Sequence, residues 1–154
     1  MKYAFFYILS VVGINLAFEY IPPFVLHDGT IWSVGSVIAG IVFVTRDYAQ
    51  RAVGHVAVFG LMITAGAISY AMASPFVAIA SLLAFGASEM IDYIVYTLNK
   101  GSFKSKVIAS SLISVPVDTF VFLKVIEHVS LFSFIVMCLS KLIVIAWIYK
   151  RGDI

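Results

Sequence analysis

Long apolar runs alternate with short polar or turn-forming stretches along the whole chain, and six such runs stand out. They cover approximately Tyr3–Ile21, Thr30–Gln50, Val53–Ala73, Pro75–Leu98, Val107–Ile126 and Leu131–Tyr149. Each is near the roughly 20 residues that a helix needs to cross the hydrocarbon core of a bilayer. Between them stand PPFVLHDG, a turn around Gly54, Ser74-Pro75, the polar NKGSFKSK, and EHVS. The pattern predicts an all-α membrane protein: six transmembrane helices forming a single bundle, one domain over residues 1–154. No linker, low-complexity tract or sequence repeat interrupts it, and no room is left for a soluble ATPase or catalytic domain. The first run follows Lys2 as a signal peptide would, yet no small-x-small cleavage site comes after it, so it reads as a retained span.

Composition sharpens this picture. The chain is 62% hydrophobic and 12% charged, against about 45–50% and about 25% in ordinary soluble domains. With so few charges a soluble helical protein could not cover its own surface, and the lipid bilayer is the expected surroundings. The one cysteine, Cys138, excludes an internal disulfide or a cysteine metal cluster and reads as a small buried hydrophobe. A net charge of +2, without basic residues clustered among exposed aromatics, excludes nucleic acid as a partner.

The basic residues are informative in another way. With six spans, Lys2, Arg46, Arg51, Lys100, Lys104, Lys106, Lys150 and Arg151 all fall on one side, and Lys124 alone on the other. Excess lysine and arginine marks the cytoplasmic face. The expected orientation is therefore N-in/C-in.

Charges also lie inside the predicted spans. Glu89, Asp92, Asp118 and Lys141 fall at or near mid-depth, where insertion costs about 2.5–3.5 kcal/mol for Asp, Lys or Arg. The sum, on the order of 10 kcal/mol, rivals the net stability of a whole protein. Such groups must face one another or a wet cavity, and they mark function by default. Ser81, Phe85, Glu89, Asp92 and Tyr96 recur at helical spacing and share one face of the fourth span. Ser110, Ser114, Asp118 and Phe122 do the same on the fifth, where Pro116 frees the carbonyl of Leu112. Asn15 and Glu19 are four apart in the outward half of the first. Lys141 is the only base expected near mid-depth, and Asp118 its obvious partner.

Two readings of these charges stand side by side. An ion-pair network can simply fix helix packing. The surplus of acids over bases favours a ligand that supplies hydrogen-bond donors, or a carboxyl that rests protonated. A carboxylate accepts two parallel hydrogen bonds, so it pairs with a flat fork of N–H groups. Guanine-like rings present such a fork. Asn15 both donates and accepts, and Phe85, Tyr93, Tyr96 and Phe122 offer a flat apolar wall, although each singly fits ordinary core or lipid contact as well. The expectation is a small central hollow, lined by carboxylates and sheltered from lipid.

Several stretches resemble a known family. FVTRDYAQRAVGH, MASPFVAIASLLAFGASEMIDYIVYT and PVDTFVFL are similar to the VUT family of queuosine-precursor transporters. The likeness lies in Arg46-Asp47 closing the second span, the Ser74-Pro75 turn, Ser88-Glu89-Asp92-Tyr96 in the fourth span and Val117-Asp118-Phe122 in the fifth. It covers roughly Gly35 to Leu123. The resemblance implies a six-helix protein of a bacterial-type cytoplasmic (inner) membrane, related in fold to the substrate-binding subunits of energy-coupling-factor importers. It implies uptake of a small purine-like substrate, the cyano- or aminomethyl-deazaguanine precursor of queuosine. Some relatives work with a separate energy-coupling ATPase module, a partner left open for this chain. Carried over by position, Glu89 and Asp92 contact the ring, with Asn15 and Asp118 completing the pocket. Arg46 and Asp47 form either a gate or a snorkelling end-anchor, Arg46 pairing with Gln50 or neighbouring acids. Lys141 neutralises an acid of the empty state and releases it when substrate binds.

Other functions are weaker expectations. No Gly-x-Ser-x-Gly elbow or His-Glu-x-x-His pair is present, and His27, His55 and His128 fall at or near helix ends, so the chain does not read as an enzyme. No cofactor or metal is expected. A small assembly subunit would use residues such as Ser36 and Gly40 for close helix contact, but internal packing needs those too. Transport of another vitamin or nucleobase remains an alternative cargo.

Overall fold

The computed structural model describes residues 2–26 and 29–151. About 84% of the described residues are helical, in α1 Lys2–Tyr20, α2 Val34–Val53, α3 His55–Met72, α4 Pro75–Leu98, α5 Phe103–Val125 and α6 Leu131–Arg151. The stretch between α1 and α2 is not a plain loop, as the sequence pattern has it. It is a small antiparallel ribbon, β1 Phe24–Val25 with β2 Ile31–Trp32, in which Phe24 pairs with Trp32 and Val25 with Ile31. His27, expected at a helix end, lies outside the described residues.

Local chemistry accounts for the boundaries. Ser33 accepts a hydrogen bond from the Gly35 amide and caps α2, and Ser102 accepts from Ser105 at the start of α5. Pro75 opens α4 where its missing N–H costs nothing. Gly54 alone separates α2 from α3; its φ of +85° is open to glycine and strained for other residues.

The helices close into a ring in the order α1–α2–α6–α5–α4–α3, with α3 returning to α1. They also run alternately up and down. At one end Tyr3 stacks on Tyr48, Tyr48 on Tyr149, and His55 meets Tyr96 edge-on. Lys2 and Arg151, the first and last described residues, lie there, and it is called the termini end. At the other, the ribbon end, Phe18 stacks on Phe122, the Ile31 amide donates to Ser133, and the Ser74 amide donates to Glu19.

Among the described residues, five of the six helices are long and apolar enough to cross a membrane. The sixth, α2, carries Arg46, Asp47, Gln50 and Arg51 in its second half. Arg46, Asp47 and Gln50 are shielded, Arg51 being exposed near the helix end: eleven of the twenty residues of α2 are buried, against five of eighteen in α3. Gly40 brings α2 against α6 so closely that a Cβ there would lie 2.8 Å from the Val144 Cβ and 2.9 Å from the Lys141 carbonyl oxygen. The small residue is used for packing inside the bundle. Outward faces carry exposed Phe5, Leu9, Ile63, Leu83, Leu139 and Ile143, an apolar surface that water would not tolerate and lipid would. This is the organisation of a multi-pass membrane protein.

Candidate functional site

The buried charges sort into two groups, one reaching across the ring from α2 to α4 and the other joining the neighbours α5 and α6. Toward the termini end, Arg46 of α2 is only 4% exposed and sits among three carboxylates. Its Nε and Nη2 donate to Asp47 Oδ1 at 3.1 and 2.6 Å, and its Nη1 donates to Glu89 Oε2 at 3.1 Å. Asp92 Oδ1 lies 3.0 Å from Nη2. That contact is an ion pair without hydrogen-bond alignment: among the described residues, neither oxygen of the fully buried Asp92 accepts a hydrogen bond. Asp47 Oδ2 accepts from the hydroxyl of Tyr149 at 2.9 Å. Three carboxylates thus share one guanidinium, a formal surplus of two negative charges when all are ionised.

The second group is smaller and balanced. Lys141 of α6 donates to Asp118 Oδ2 at 2.6 Å and to Thr119 Oγ1 at 2.8 Å, both on α5. Ion and counter-ion match one to one. Asp118 Oδ1, and the hydroxyls of Ser36, Ser81 and Ser114, are buried without a hydrogen-bond partner among the described residues.

Phe85 stands between the two groups. A cavity of about 10 Å³ on its ribbon side is lined by Ser81, Asp118 and Lys141, and another of about 10 Å³ on its termini side by Tyr7, Arg46 and Glu89. Phe85 lines both. Each has room for about one water molecule. The expected ligand-sized hollow is therefore absent between the two groups, where the acids are paired with Arg46 and Lys141. Larger spaces lie beyond. One of about 130 Å³ at the ribbon end shares Phe18, Phe122 and Met137 with the small cavity beneath it. A crevice of about 280 Å³ between α3 and α4, walled by His55, Phe59 and Tyr93, reaches Glu89.

Set against the sequence expectations, Glu89 and Asp92 come together as the helical face predicts. Asp118 falls in the other group. Asn15 turns away from both: its amide donates to the Val11 carbonyl at 2.9 Å and to Ser69 Oγ of α3 at 3.1 Å. Tyr96 is half-buried at the rim, edge-on to His55 and beneath the ammonium of Lys106. Arg46 is the main correction. It does not snorkel, and of its two expected partners it takes the neighbouring acids rather than Gln50, whose amide nitrogen meets His55 Nε2 at 3.2 Å. Lys141 is consequently not the only buried base. Tyr149, Tyr7 and Ser69 escape sequence reasoning altogether, since a lone hydroxyl in an apolar run looks like any other core or interface residue.

Compared with known proteins, the chain matches no family model, no curated protein and no solved structure.

Proposed function

We propose that this chain is a six-span importer of a queuosine precursor, held in a closed conformation, with both termini in the cytoplasm of a bacterial-type cell. The observation that carries the reading is the carboxylate surplus around Arg46, above all Asp92, which is fully buried and ion-paired with Arg46 yet accepts no hydrogen bond among the described residues. A structural ion pair needs one acid per base. A surplus suits cargo that brings N–H donors or positive charge.

Three further observations support it. Two of the VUT-like motifs, Arg46-Asp47 and Ser88-Glu89-Asp92, lie 43 residues apart between Arg46 and Glu89 and yet converge on one cluster. A deazaguanine ring offers the flat N–H fork that a carboxylate accepts, and the aminomethyl form adds a cation to offset the surplus. The cavities form a series from the ribbon end, past the Phe18–Phe122 stack and Phe85, to the crevice at Glu89. In this scheme cargo entering the series displaces Arg46 from Glu89 and Asp92, and Phe85 swings aside. Lys141 holds Asp118 until cargo passes.

The orientation rests on the basic residues. With Arg46 inside the bundle, seven remain toward the termini end against Lys124 at the other, and the bias survives. An energy-coupling ATPase module would dock from the cytoplasmic side.

The test uses cells unable to make the precursor. Expression of the chain should restore queuosine in tRNA from external deazaguanine, and Glu89→Gln should abolish restoration at normal protein level. Restoration by the Gln variant at the wild-type rate removes Glu89 from the site. Absence of restoration by the wild-type chain, with uptake of another nucleobase or a vitamin in its place, reassigns the cargo.

A further inference from the structure

We infer that the groove between α5 and α6 at the termini end is a binding site for an anionic phospholipid. The groove has a volume of about 270 Å³, and its walls are apolar, with Ile108 and Leu112 on one side and Leu142 and Ile145 on the other. Lys104, in the first turn of α5, and Lys150, in the last turn of α6, both line it. An apolar slot ending in two ammonium groups at one membrane surface matches an acyl chain with a phosphate at its head.

What separates these two lysines from their neighbours is that they are uncommitted. At the same end, Lys2 lies over the Tyr3 ring, Arg51 over Phe103, Lys106 over Tyr96 and Arg151 over Trp147, at 4.5 to 5.2 Å. Among the described residues, Lys104 and Lys150 have neither a carboxylate nor a ring. Lys100 is also free but lines no such groove. Among the described residues, no carboxylate lines the groove. It does contain Ser111, which is buried and whose hydroxyl has no hydrogen-bond partner among the described residues.

The site also touches the charge cluster. Tyr149 walls the groove with its ring and donates its hydroxyl to Asp47. A lipid seated there packs the ring in the position that holds Asp47 on Arg46, so occupancy should stabilise the closed cluster. The inference requires a bilayer around the bundle and does not depend on the cargo.

The full chain, purified in detergent, is titrated with phosphatidylglycerol and separately with phosphatidylcholine, reading bound lipid by native mass spectrometry and the melting temperature. Phosphatidylglycerol should bind about tenfold tighter or more, given two ammonium groups at the headgroup, and should raise the melting temperature where phosphatidylcholine does not. The double variant Lys104→Gln/Lys150→Gln, altered only at exposed side chains, should lose that preference. Ile108→Trp, which fills the slot, should lower the affinity for both lipids. Equal binding of the two lipids by the wild-type chain, full preference in the double variant, or stabilisation by inorganic phosphate alone to the same degree would each overturn the site.

Discussion

The Arg46 cluster and the Lys141–Asp118 pair are both ionic, both buried and only one side chain apart at Phe85, yet they are built to different rules. Lys141 has one counter-ion and a hydroxyl, and its charge is matched locally. Arg46 has three carboxylates, one from its own helix and two from α4, and Tyr149 must add a hydrogen bond to help hold them. The first arrangement is what a bundle needs to fix the packing of α5 on α6. The second carries more negative charge than packing requires, and an apolar interior makes every uncompensated charge expensive. Charge surplus, rather than burial, is what distinguishes the Arg46 cluster from the balanced pair.

The largest expected effect comes from removing the cation that the surplus depends on. Arg46→Met leaves three buried carboxylates without a base and should cost about 3–5 kcal/mol or prevent folding, read as melting temperature and as protein level in membranes. Lys141→Met should be milder, because only one carboxyl, Asp118, is left without its base; uptake should change, and unchanged uptake at normal level removes Lys141 from the switch. Replacing the pair together, Lys141→Met with Asp118→Leu, should return stability to within about 1–2 kcal/mol of wild type. A matched rescue by Arg46→Met with Glu89→Gln would erase the distinction between the two regions. Next in size, Tyr149→Phe removes one hydrogen bond to Asp47 and should cost about 1 kcal/mol, with uptake reduced rather than lost. Smallest is Tyr96→Phe, which keeps the ring under Lys106 at the half-exposed rim. It should change stability by about 0.5 kcal/mol or less and leave uptake intact; a large loss would move Tyr96 into the site.

Much of this was legible in the sequence wherever periodicity carries the information. The α4 face of Ser81, Phe85, Glu89 and Asp92 is buried as its spacing predicts, because helical geometry fixes which residues share a side. The pairing of Lys141 with Asp118 followed from the cost of leaving either alone. Arg46 was misplaced by helix boundaries. A span ending at Gln50 puts it one turn from the membrane edge. The real helix starts at Val34 and ends at Val53, which sets Arg46 about 10 Å from that end at 1.5 Å per residue. Asn15 was misdirected for another reason: its height along α1 is fixed by sequence, but whether it faces α3 or α4 depends on the order of helices around the ring. Closure of the interior was not legible either. Residue types say that acids and a base are near one another, and only packing says whether space remains between them.

The central claim is that the spare acceptors of Glu89 and Asp92 take the cargo. The most direct measurement is equilibrium binding of labelled aminomethyl-deazaguanine to the purified chain, beside Asp92→Asn of equal melting temperature. Saturable binding by the wild-type chain, weakened at least about tenfold in the Asn variant, a loss of about 1.4 kcal/mol, is the expected result. Equal affinity in the two proteins, or no saturable binding by the wild-type chain, contradicts it.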